Sequence, residues 1–190
     1  MNKLISSSFA ALAIVASSHA AIIDFDLTGI AGAGLLPGNE PGAITGGTGG
    51  EIGAGISLDN ITHILSLNIG WGSSQGFTDL SSTASASHIH GPTANNNGNG
   101  FTQTAGVLIT LNRSSSATTG GTFTNGPILL TAAQETDLLN GKMYVNIHTA
   151  NNGGGELRGF LVPSPVPEPA TAGLVAFGAL ALLRTRRSRA

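Results

Sequence analysis

The chain has 190 residues, 28 of them glycine, with 9% charged and 41% hydrophobic residues; this leaves room for one domain plus processing segments and does not match a charged disordered tail. Cysteine is absent, which excludes disulfides, thiolate metal ligands and a cysteine nucleophile. The formal charge of −2 hides an asymmetry: between Ala21 and Val162 three basic residues face nine acidic ones, a net of −6, so nucleic acid is not an expected partner.

Residues 1–20 read as a secretory signal peptide. Lys3 supplies the positive start, Leu4 to Val15 is mostly apolar, and Ser18-His19-Ala20 gives a small-x-small cleavage pattern. The stretch is too short and wrongly flanked for a membrane span.

A domain over residues 21–162 follows. Ala21–Ile30 alternates, with Ile23, Phe25 and Leu27 on one face and Asp24, Asp26 and Thr28 on the other. Residues 31–50 are a loop dense in Gly and Pro. Glu51–Leu58 and Thr62–Trp71 flank Asp59-Asn60, a hairpin turn. Ala84–His90 is a strand ending at Gly91-Pro92, residues 95–100 are a polar loop, and Ala105–Asn112 is a further strand.

One short helix is expected over residues 132–139. Thr131 and Gln134 have capping-box spacing, and Asn140-Gly141 supplies the stop. Lys142–Thr149 and Glu156–Val162 then form a hairpin. The register that sets Asn146 opposite Arg158 and Tyr144 opposite Phe160 puts Ile147 against Leu157 on the inner face; a one-residue slip would mix the faces. About seven short strands, Gly-rich turns and one helix imply a mostly β fold, an antiparallel Greek-key β-sandwich.

Residues 163–190 form a third region. Pro163 to Pro169 is a stiff, extended spacer. Ala170–Leu183 is an uncharged apolar run of marginal length for a transmembrane helix, and Arg184, Arg186, Arg187 and Arg189 close the chain. The Arg cluster would stay cytoplasmic, leaving the domain outside. The order Val166-Pro167-Glu168-Pro169, apolar run and Arg cluster resembles the PEP-CTERM sorting signal. That resemblance implies an exosortase-type membrane protease as partner, transient residence in the inner membrane through 170–183, and association with extracellular polysaccharide or biofilm at the cell surface.

Ser87-His88-Ile89-His90-Gly91-Pro92, Leu139-Asn140-Gly141-Lys142-Met143-Tyr144-Val145-Asn146-Ile147-His148-Thr149 and Gly155-Glu156-Leu157-Arg158-Gly159 together resemble the CHRD domain, over roughly residues 22–162. The resemblance implies an exported module whose biochemical role is largely undefined.

Residues two apart on a strand share a face, so His88 and His90 lie together, as do Tyr144, Asn146 and His148. In the favoured reading these histidines are structural: His90 fixes a turn, His148 pairs with Glu156, and Arg158 bridges that carboxylate. No cofactor and no catalysis are then required, and the protein is a non-catalytic surface or matrix module. The alternative is a secreted metal-binding protein or metal-dependent enzyme with a copper or zinc site built from His88, His90 and His148, since imidazole suits both ions. Other chemistry lacks support. No Gly-x-Ser-x-Gly elbow occurs, Asp24/Asp26 and Glu135/Asp137 read as solvated faces, and one Trp and one Tyr make no sugar-stacking platform.

Overall fold

Apolar alternation becomes inward burial in the computed structural model, which describes residues 22–94 and 101–165. The signal segment, the 95–100 loop, the sorting motif Val166–Pro169 and the apolar run 170–183 lie outside the described residues. Among those described, no helix is long and apolar enough to cross a membrane.

Strand β1 (Ile22–Gly29) points Phe25 and Leu27 into the core and Asp24 and Asp26 outward. Within the expected 31–50 loop, a short β2 (Gly32–Ala33) folds back on β1, and a 3-10 turn spans Pro37–Asn39. Strands β3 (Gly49–Asp59) and β4 (Ile64–Trp71) form a long hairpin. Its turn is wider than Asp59-Asn60 alone, because Asp59 Oδ1 accepts the amides of Ile61 and Thr62 at 2.9 and 3.2 Å.

Then come β5 (Ala84–His90), β6 (Val107–Thr110), β7 (Gly121–Thr122) and β8 (Ile128–Leu129). Helix α1 (Ala132–Leu139) carries the expected capping box between Thr131 and Gln134. Strands β9 (Tyr144–Thr149) and β10 (Leu157–Pro163) pair in the expected register, Asn146 opposite Arg158 and Tyr144 opposite Phe160.

The mostly antiparallel β class with one short helix holds, but the two sheets of a sandwich do not. One path runs β6-β5-β9-β10-β1-β3-β4-β7, with β2 on β1 and β8 on β4. The β9–β10 hairpin causes this: β9 pairs with β5 on one side while β10 pairs with β1 on the other, which joins what would be two layers. The ends of the path also meet. Arg113 bridges Phe123, Ser114 N–H donates to Thr122 O at 2.9 Å, and Thr124 N–H donates to Asn112 O at 2.9 Å. The sheet curls round a core that includes Phe25, Leu58, Ile69, Trp71, Val145 and Ile147.

Candidate metal centre

Strand parity builds the site. On β5 and β9 the odd positions Ile89, Val145 and Ile147 enter the core at 0% exposure. The even positions His88, His90, Tyr144, Asn146 and His148 share the opposite face. Pairing sets His88 opposite Asn146 and His90 opposite Tyr144, so His148 lies diagonal to His88. Next along the sheet, Arg158 and Phe160 of β10 continue this face.

The three histidines of the sequence reading converge. Each offers one ring nitrogen, and these lie within 4.8 Å of one another. His88 Nδ1 and His148 Nε2 are 3.1 Å apart. Two rings are held by backbone carbonyls: His90 Nδ1 lies 2.9 Å from Ala105 O, and His148 Nδ1 lies 3.0 Å from Gly153 O. A carbonyl only accepts, so both Nδ1 atoms carry the proton and both Nε2 atoms present a lone pair. His90 Nε2 is buried and has no hydrogen-bond partner. That leaves an acceptor without a donor, an expensive state for a buried polar atom.

Electrostatics keep the His88 and His90 rings in the ligating form. Burial pushes the His88 pKa down, helped by His148, His90 and Arg113. Burial also lowers that of His90; the Ala105 carbonyl opposes, and His148 and Arg158 add to the fall. A metal ion about 2.0–2.1 Å from each imidazole nitrogen needs nitrogens about 3.3 Å apart. The His88–His148 pair is already near that spacing, and all three ligand nitrogens lie within 4.8 Å of one another. The residue types, the unpartnered His90 Nε2 lone pair and the carbonyl-anchored rings fit a copper or zinc ion, which would displace the proton shared between His88 Nδ1 and His148 Nε2.

An outer layer supports the cluster, and sequence reasoning missed its roles. The Tyr144 ring lies parallel to His90, with centroids 4.9 Å apart and planes at 4°. Its hydroxyl accepts from Ala105 N–H at 3.1 Å and donates to Ala105 O at 3.3 Å, which pins the peptide that anchors His90. The Arg158 guanidinium lies 3.8 Å from the Tyr144 centroid and 4.8 Å from that of Phe160. Beside them a cavity of about 320 Å³ is lined by His90, Tyr144, Asn146, Arg158 and Glu40. Burial pushes the Glu40 pKa up to about 7, against the pull of Arg158 and a hydrogen bond from Asn146. Tyr144 was readable from parity, but Glu40 lies in a loop without periodic signal.

The expected contacts of Glu156 are corrected. Its carboxylate meets neither His148 nor Arg158 but accepts from Gly47 N at 2.9 Å, Ser81 N at 2.7 Å, Thr149 Oγ1 at 2.7 Å and Asn152 Nδ2 at 3.2 Å. Gly155, at φ +134°, breaks the alternation just before β10 and turns Glu156 toward Thr149 instead of His148. A Cβ at Gly155 would collide with Glu40 Oε1 and the Asn146 side chain. His63, the other histidine among the described residues, pairs with Glu135 of α1 and takes no part in the cluster.

A family model described as the CHRD domain matches residues 33–161. No curated protein and no solved structure matches the chain.

Proposed function

The chain belongs to the CHRD domain family, typical of extracellular and secreted proteins, and we propose that this member is an exported, non-catalytic surface module whose His88, His90 and His148 bind one copper or zinc ion. The observation that carries the metal reading is His90 Nε2, a buried lone pair without a donor that shares a cluster with two other imidazole nitrogens. Other buried side-chain atoms also lack a partner, but this one faces two further imidazole nitrogens, the arrangement a metal ion would complete.

The test is titration of the metal-free protein with Cu and Zn, followed by elemental analysis. One ion per chain is expected, falling to a small fraction in His148→Ala with the far-UV spectrum unchanged. Absence of stoichiometric metal would overturn the reading.

Delivery is the second part of the proposal. The 1–20 signal and the Val166-Pro167-Glu168-Pro169 tail support export and processing by an exosortase-type protease at the inner membrane, then residence among extracellular polysaccharide or surface proteins. Replacing Pro167 and Glu168 by Ala should leave an uncleaved, membrane-associated form; normal release of that variant would refute processing at this motif.

A further inference from the structure

The three-histidine centre leaves copper and zinc open as far as ligand type goes, because neutral imidazole suits both. Charge then decides. No carboxylate belongs to the ligand cluster among the described residues. Of the charged side chains outside the cluster, Arg113 bears on His88 and Arg158 on His90, both cations, while Glu40 is the carboxyl that shares a cavity with His90.

Arg158 is the better placed of the two. It is 0% exposed, and strand order β5-β9-β10 sets Tyr144 between His90 and Arg158. The guanidinium lies 3.8 Å from the Tyr144 centroid, whose opposite face stacks on His90 at 4.9 Å. A fixed cation one ring away opposes a dication twice as strongly as a monocation. Glu40, which shares the cavity with Arg158, is the acid that offsets this charge, and Glu156 is turned away by the bend after Gly155.

We propose that the centre selects the cuprous ion over zinc, with the buried Arg158 charge setting the preference across the Tyr144 ring. This rests on the metal-binding reading above. One unit charge about 10 Å away at an effective dielectric of about 20 changes the ratio of monocation to dication affinity about tenfold.

Anaerobic competition against bicinchoninate for Cu(I), and against a chromophoric chelator for Zn(II), measures that ratio at pH 8 on the folded protein. The parent is expected to hold Cu(I) more tightly than Zn(II). Arg158→Met should shift the ratio about tenfold toward zinc and lower the Cu(II)/Cu(I) midpoint by about 59 mV, the one-electron equivalent of tenfold. Glu40→Gln, which leaves the stacked rings and Arg158 in place, should shift the ratio the opposite way and carries the test if Arg158→Met does not fold. Tighter zinc than cuprous binding in the parent, or a ratio unmoved by Glu40→Gln, overturns the inference while leaving metal binding intact. Failure to bind either ion overturns the metal-binding reading itself.

Discussion

Glu156 shows how a single side chain can fix loops that are far apart in sequence. Its carboxylate gathers donors from Gly47, Ser81, Thr149 and Asn152. Burial raises its pKa, but bonds from Ser81, Gly47 and Thr149 outweigh this and hold the carboxyl below its ordinary range. A glutamine there would turn an amide N–H₂ toward donors and leave some unpaired. Glu156→Gln should therefore cost about 2–4 kcal/mol, read as a lower urea midpoint at pH 7. The deficit should shrink below the ordinary carboxylate pKa, where the parent loses the same stabilisation by protonation. The proposed metal centre should keep the parent's affinity in the folded variant, because the histidines lie on the other side of the hairpin. A tenfold loss of affinity would instead mean that Glu156 supports His148, as the alternation alone suggested.

At the scale of elements, the legible features were those fixed by local periodicity. Strand β5 and helix α1 begin and end where alternation and the Thr131/Gln134 capping box place them, and the β9–β10 register follows from keeping Ile147 and Leu157 on one face. Convergence of His88, His90 and His148 required one further fact, that β9 lies beside β5, and no residue pattern states which strands are neighbours. The sandwich expectation failed for the same reason: strand count fits either two sheets or one curled sheet, and the pairing of β10 with β1 decides. Glu156 was misassigned because parity was carried across Gly155, whose positive φ ends it. Glu40 lay hidden because it sits just after a 3-10 turn rather than on a strand, and only folding carries it to Arg158.

For the whole molecule, stability against pH is set by groups that act in opposite directions. His88 and His90 have folded pKa values below the ordinary one, so the unfolded chain takes up protons that the fold resists, and stability is lost as pH falls below about 6.5. Glu40 works in reverse. Its pKa rises from 4.5 to about 7 on folding, so its contribution is complete below 4.5 and disappears as pH climbs through 7. Between pH 4.5 and 6.5 the two trends oppose, and the metal-free protein should show a shallow profile. Glu40→Gln removes one of them. Relative to the parent, that variant should gain about 3 kcal/mol between pH 4 and pH 8, from a shift of roughly 2.5 pKa units at 1.36 kcal/mol each, whatever pH-independent cost Arg158 incurs by losing its acid. Urea unfolding in the presence of a chelator, at half-unit pH steps, measures the difference. A variant that instead loses ground to the parent as pH rises from 4 through 5 would show that Glu40 is ionised throughout, as a strong ion pair with Arg158, and that the acid offsetting the positive surroundings of the histidines is permanently charged.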